Sequence, residues 1–307
     1  MGQIIDGILL IDKHEGETSY GVVKKARRLL KIRKAGHAGT LDPFATGLLI
    51  ILLGQGTKLS RFLMAGKKTY LATVKLGLET DTLDSTGREV RVHAVPELTL
   101  KQIQETAARF VGDIEQVPPA YSAVKYEGQR AYKLARKGVF VNLRSKAVTV
   151  YSFDVLSVQL PDVQVKVTCS SGTYIRSLAA DLARALGSGG HLIALRRMSS
   201  GLFNVQNALS SAAISPKQGR AFLVDKIIPL RGALPGMCEM AVGEEIAKKI
   251  RRGHQPSWSE LNAGFPIAGC EGGYVKLVRE NELVAVARMQ ESREVGAGSL
   301  WLERVFS

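Results

Sequence analysis

The sequence predicts an α+β protein, on three observations. Short apolar or alternating segments recur through residues 7–200, and amphipathic helical patterns are interleaved among them. Two of these segments, Ala147–Val158 and Val163–Ser170, follow one another around Leu160-Pro161-Asp162 as a strand pair. The chain then changes character at Arg231-Gly232-Ala233-Leu234-Pro235-Gly236, beyond which alternation and glycines mark a small separate module, Gly232–Ser307.

Taken in order, Gly7-Ile8-Leu9-Leu10-Ile11-Asp12-Lys13 reads as a buried strand entering a charged turn. Glu17-Thr18-Ser19 is placed to cap a helix over Tyr20–Lys31, whose Val22, Val23, Ala26, Leu29 and Leu30 fall at helical spacing. Its other face begins a run of seven cations in the eleven residues Lys24–Lys34, with no acidic residue among them. Gly36-His37-Ala38-Gly39-Thr40-Leu41-Asp42-Pro43-Phe44-Ala45-Thr46-Gly47 follows as a loop, because glycine and Asp-Pro disfavour regular structure. Taken alone, it reads as a tight connection in which Asp42 caps a turn. A second reading has it carry that carboxylate into a cleft.

Leu48–Leu53 is a second buried strand, and Gly54–Lys58 turns into a short helix, Leu59–Met64; the glycines here lack phosphate-loop spacing. Lys67–Gly77 alternates, with Tyr70, Ala72, Val74 and Leu76 on one side. The acidic turn Glu79–Gly87 lacks the calcium-loop pattern. Thr99–Phe110 is amphipathic. From Val117-Pro118-Pro119 the chain loses large aliphatics, and Lys125, Arg130, Lys133, Arg136, Lys137, Arg144 and Lys146 interleave with Tyr121, Tyr126 and Tyr132. Cations mixed with aromatics suit phosphate contact and base stacking, so 121–147 reads as a semi-independent insertion that touches a nucleic acid. Ser170–Arg176 caps a helix through Leu186, placing Arg176 in a first turn where the helix dipole disfavours a cation. A partner carboxylate would account for it. His191–Ser200 is strand-like and Ser200–Leu230 reads as a closing helical connection. In the last module a helix, Glu244–Ile250, precedes strands at Tyr274–Leu277, Leu283–Met289 and Leu300–Val305.

Composition bounds the function. The 307 residues are 45% hydrophobic and 23% charged, an ordinary globular balance. Net charge is +14, yet Gly232–Ser307 carries −1, so residues 1–231 hold the whole excess at +15. Such asymmetry points to a polyanion. Cys169, Cys238 and Cys270 lack metal-ligand spacing, which suits a reducing cytosol and argues against a disulfide framework or structural zinc. Met1–Asp6 has no basic leader, and no apolar run approaches the ~20 residues of a membrane span. A cytoplasmic protein without signal peptide is expected.

Six motifs in order then carry a resemblance: Gly36–Gly47, Lys68-Thr69-Tyr70, Thr80-Asp81-Thr82-Leu83-Asp84, Tyr121-Ser122-Ala123-Val124-Lys125, Gly172-Thr173-Tyr174-Ile175-Arg176 and Leu195-Arg196-Arg197. Together they resemble the TruB family of bacterial tRNA pseudouridine-55 synthases. The tail resembles the PUA RNA-binding domain found in one branch. In the archaeal and eukaryotic guide-RNA relatives Asp-Pro is usually followed by lysine, so Phe44-Ala45-Thr46-Gly47 favours the stand-alone bacterial type. The family commonly has Lys-Pro after the first strand where this chain has Lys13-His14, a change expected to alter the turn rather than the chemistry.

The resemblance implies a mixed, mainly antiparallel sheet flanked by helices, with catalytic residues 1–231 and a PUA-like module at 232–307. It implies isomerisation of uridine 55 in the tRNA T-loop to pseudouridine, after extrusion of the stacked base, by a monomer without cofactor, metal or obligate protein partner. Asp42 would react and needs a cation, Arg176, to hold its pKa low. Tyr70 would stack on the uracil and serve as a base with a lowered pKa. Leu195 would line the pocket and His37 fill the space vacated in the RNA. Lys13, Lys67, Asp84, Lys125 and Arg130 are expected to bind substrate or RNA. Two rivals are a tRNA-binding chaperone that folds RNA without chemistry and a glycosylase that releases the base.

Overall fold

The computed structural model describes residues 5–139, 141–257, 259–261, 273–290 and 299–307. Residues 1–4 and Cys270, both used in the sequence reading, lie outside them.

The first half contains strands β1 (Gly7–Lys13), β2 (Ala35–His37), β3 (Thr46–Leu53), β4 (Lys68–Leu76), β5 (Leu78–Thr80), β6 (Glu89–Val92) and β7 (Gly112–Gln116). Helices α1 (Ser19–Leu30), α2 (Ser60–Ala65) and α3 (Leu100–Ala108) punctuate them. A short hairpin, β8 (Lys125–Tyr126) and β9 (Gln129–Arg130), leads into α4 (Ala131–Ala135). Next come β10 (Lys146–Gln159), β11 (Asp162–Cys169), α5 (Ile175–Ala185), β12 (Gly190–Ser200), β13 (Phe203–Asn204), β14 (Leu209–Ser210) and α6 (Gly219–Asp225). The C-terminal module has β15 (Cys238–Ala241), α7 (Glu244–Arg251), β16 (Tyr274–Arg279), β17 (Glu282–Gln290) and β18 (Ser299–Val305).

One large sheet runs β14-β1-β3-β12-β4-β11-β10-β7, with β2 added to β3 and β13 to β12. Two junctions, β14/β1 and β3/β12, are parallel and the others antiparallel, so the expected mixed, mainly antiparallel sheet is present. Alternation explains its faces. Tyr70, Ala72, Val74 and Leu76 of β4 are buried while the residues between them are not. They join Val22, Val23, Ala26 and Leu30 of α1 and Ile103, Leu178 and Leu182 in one apolar core. The other face, with Ile8, Leu10, Leu48, Ile50 and Leu52, packs against Leu59, Leu63 and the C-terminal Val278, Val286 and Phe306. The small module therefore has its own core around Met240, Val275 and Val284 but also shares one with the large sheet.

The connection after β12 departs from the helical expectation. It forms β13, β14 and single 3-10 turns before the short α6. Its apolar residues are too few and too scattered to cover a helix face, and Leu209-Ser210 instead extends the sheet beside Ile11-Asp12. Strand β15 was also unforeseen; it pairs in parallel with β16. Cys169 is a free buried thiol, whereas Cys238 is disulfide-bonded, which corrects the expectation drawn from the scattered cysteines. No helix among the described residues is long and apolar enough to cross a membrane.

Candidate active site

Sheet register assembles the site. Lys13 lies opposite Gly47, Gly47 opposite Arg197, Arg197 opposite Tyr70, and Tyr70 opposite Val167. One row thus crosses five strands, and the loop carrying Asp42 feeds into its second strand. Gly47 sits where the parallel pair begins, at φ +98°; a Cβ there would lie 2.3 Å from the Arg197 carbonyl oxygen, so only glycine fits.

The loop is tied down on both sides of Asp42. The buried Ser19 hydroxyl accepts the Leu41 N–H at 2.8 Å and donates to the Leu41 carbonyl at 3.0 Å. The Pro43 carbonyl accepts from the Gly16 N–H at 2.8 Å and from the Lys13 ammonium at 3.2 Å. Further along, the Arg197 guanidinium donates to the carbonyls of Leu48 and Gly39 at 2.7 and 3.1 Å. Neither Ser19 nor Arg197 stood out as a site residue in the sequence. Arg197 had a signal: it shares strand parity with Leu195, expected to line the pocket, so alternation directs it inward. Ser19 had none beyond its place at a helix start. Replacing Ser19 by alanine is expected to lower kcat roughly 10- to 100-fold through misplacement of Asp42. Thermal denaturation should show a loss of about 1–3 kcal/mol from the two lost hydrogen bonds.

Asp42 meets its cation as expected. Arg176 Nε lies 3.0 Å from Asp42 Oδ2, and Nη2 donates to Oδ1 at 3.4 Å. The same guanidinium donates to the Thr82 carbonyl at 2.8 Å and the Tyr121 carbonyl at 2.9 Å, and lies 3.5 Å from Asp84 Oδ2. Its helix start is pinned in turn: Gln116 exchanges two hydrogen bonds with the Tyr174 backbone, at 3.0 and 2.7 Å, and Ser177 Oγ donates to the Val117 carbonyl. Two carboxylates now explain a cation in the first turn of α5.

The electrostatics correct two expectations. The Asp42 carboxyl lies above its ordinary pKa, not below it. Desolvation in the loop outweighs Arg176, and Asp84, drawing on the same guanidinium, pushes in the same direction as desolvation. With the ionised form as the one expected to react, activity is expected above this raised pKa and falls as pH drops through it. A kcat/KM profile should therefore show an acid limb above the normal aspartate range, moving to still higher pH when Arg176 is neutralised. Tyr70 is likewise raised by burial, which exceeds the opposing pull of Arg197. The lowered pKa that proton abstraction by Tyr70 needs is not there.

The remaining expected residues divide. Leu195 is buried, opposite Ala72 and on the Tyr70 side of the sheet. His37 is half-buried on β2, its pKa lowered by burial and then by Arg197, and its Nδ1 has no hydrogen-bond partner. Lys13 is fully buried and donates to the carbonyls of His14, Glu17 and Pro43; burial lowers it to about 8. Its donors are spent on the backbone, so it shapes the turn and is not placed to meet RNA. Asp84 is buried too, accepting from Thr82 Oγ1, the Thr86 N–H and Thr86 Oγ1 at 2.8, 3.0 and 2.6 Å, and supports Arg176 from behind. Lys67 is exposed, 4.1 Å from the Tyr151 ring centre. Lys125 and Arg130 stand exposed on the β8–β9 hairpin, which is a strand pair separate from the large sheet; Arg130 donates to the Ala123 carbonyl. That hairpin has its own small cluster of Ala131, Val141 and Leu143.

His14, where a proline is usual in the resembled family, uses the N–H that proline lacks: it donates to Ser211 Oγ at 3.2 Å and Glu17 Oε2 at 3.3 Å. Cavities of about 690 and 370 Å³ are walled by residues such as Glu239 and Lys276, and Phe44 and Leu71; neither wall includes Asp42, Tyr70 or Arg176. No group of three or more candidate metal ligands clusters among the described residues.

The structure thus brings together the loop carboxylate and the buried arginine that the resemblance to pseudouridine synthases led one to expect. The comparisons name the family. Residues 27–175 match the TruB family pseudouridylate synthase N-terminal domain. A tRNA pseudouridine synthase B of Syntrophus aciditrophicus (strain SB) is 44% identical over 92% of this chain and 91% of its own. That of Clostridium kluyveri is 44% identical over 81% and 84%. The chain belongs to the TruB family of pseudouridine synthases. Its fold also matches a solved Cbf5–Nop10–Gar1 complex at a TM-score of 0.73 and 24% identity, over 99% of this chain and 86% of that one.

Proposed function

We propose that this enzyme converts uridine 55 in the T-loop of tRNA to pseudouridine, with Asp42 as the reacting carboxylate. The observation that carries the assignment is the Asp42–Arg176 pair at 3.0 Å inside a loop clamped by Ser19 and Lys13. The relatives' names supply tRNA as substrate class, and the +15 excess over residues 1–231 suits it. In the reaction the N1–C1′ bond breaks, the uracil turns in place, C5 bonds to C1′, and the proton lost from C5 is balanced by one taken up at N1. No redox change occurs. Tyr70, as a neutral buried phenol, and Leu195 hold the ring against escape while it turns. His37, with an unspent ring nitrogen, occupies the space the extruded nucleotide leaves in the RNA.

The domain reading extends this. Residues 1–231 form the catalytic body, the 121–147 hairpin and helix close on the T-arm through Lys125 and its neighbours, and 232–307 serve as a PUA-like RNA-binding module. The protein acts in the cytoplasm as a monomer without an obligate protein partner; Phe44-Ala45-Thr46-Gly47 is the feature that favours the stand-alone type. Chemical mapping of pseudouridine in tRNA treated with the pure protein tests the reading. A new modification at position 55 is expected. Free uracil in the reaction would identify a glycosylase instead, and unmodified but refolded tRNA a chaperone.

A further inference from the structure

We infer that the solvent face of α1 is a second RNA-binding surface, one that engages single-stranded or loop RNA outside the T-arm hairpin; this rests on the tRNA reading above. The helix buries Ser19, Val22, Val23, Ala26 and Leu30. On the opposite side, Tyr20, Lys24, Arg28 and Lys31 follow at successive turns, with Arg27 beside them. Tyr20 is 62% exposed and stands at the head of this row. Among the described residues Lys25 is paired, to Glu17 at 2.6 Å, whereas Lys24, Arg27, Arg28 and Lys31 make no ion pair. Arg220 of α6 adds a further cation at the same end, donating to the Leu30 carbonyl.

A purely structural account leaves this stripe unexplained. Lys24/Arg28 is a like-charge pair at i,i+4, a spacing that weakens a helix, and Arg27 and the C-cap Lys31 add two further cations. The helix dipole rewards cations in the last turn, but not Lys24 and not an exposed tyrosine. An aromatic plate heading a row of unpaired cations is instead the arrangement that stacks one unpaired base and follows the adjoining phosphates. Location strengthens the assignment. At one end of α1 the Ser19 hydroxyl holds Leu41, next to Asp42; beyond the other end the chain runs directly into β2 and His37. The stripe is about 18 Å long. RNA bound along it bears on the reactive loop from both sides.

The test compares full-length tRNA with a T-arm hairpin of the same sequence, measuring kcat/KM for each and affinity by fluorescence anisotropy. Arg28→Glu/Lys31→Glu should lower kcat/KM on tRNA about 10-fold or more and make its salt slope shallower by about two, since two phosphate contacts are lost. Tyr20→Ala should cost roughly 10-fold on tRNA with the salt slope unchanged. Both variants should stay within about twofold of the parent on the hairpin. Equal losses on the two substrates, or none on either, overturn the inference. If the parent protein modifies neither RNA, the function reading fails; selective loss of tRNA affinity in the variants would still uphold the α1 surface, and unchanged affinity would sink it.

Discussion

Asp42→Asn is expected to reduce pseudouridine formation by at least about 10⁴-fold, the order seen when a reacting group is removed from a unit that works together. Shape and hydrogen-bonding reach are nearly conserved by the change, and the Leu41 and Pro43 clamps involve backbone atoms that it leaves alone. Affinity for tRNA should therefore change little, because the cations of α1 and of 121–147 are untouched. The asparagine also removes a half-buried negative charge whose ionisation the site resists, so the folded protein should not lose stability at neutral pH. A single-turnover assay with a binding assay in parallel separates the two effects. Appreciable turnover by this variant would remove Asp42 from the chemistry.

Arg176→Met is expected to have the second largest effect, and on two quantities at once. The methionine fills much of the same volume but leaves Asp42 and Asp84 facing one another without the guanidinium between them, and strands the Thr82 and Tyr121 carbonyls. Removing one partner from a buried charge cluster costs about 3–5 kcal/mol, measurable by denaturant unfolding. Activity should fall about 100-fold or more near neutral pH and recover in part as pH rises, because Asp42, already above its ordinary pKa with Arg176 in place, ionises later still without it. Arg176→Lys should recover part of the stability but not the geometry, since one ammonium cannot reach Asp42 and both carbonyls together. A flat pH profile in Arg176→Met would show that the arginine does not govern the ionisation of Asp42.

Much of the local structure was legible in the chain. Helix α1 starts after the Thr18 cap and β4 buries alternate residues, as their spacing requires. The oddity of Arg176 in a first turn foretold a carboxylate partner, which the structure supplies twice over. The failures have a common cause. Segments of weak periodicity, such as 200–230, carry too little apolar surface to choose their own conformation and take it from the sheet edge they land on. Lys13 and Asp84 looked like groups waiting for RNA because a charge in sequence carries no record of its burial; in the fold both are consumed by internal hydrogen bonds.

What the sequence determined by itself was the glycine-rich loop, its single acid, the basic surplus and the longer strands and helices before Ser200. These follow from local propensity, steric freedom and charge count, which need no neighbour. Only the tertiary structure decided that Gly47, Arg197 and Tyr70 share a row, that Ser19 grips the residue beside Asp42, and that burial outweighs Arg176 in setting the Asp42 pKa. Register and desolvation are properties of residues brought together across a sheet. They come into being when the strands pair.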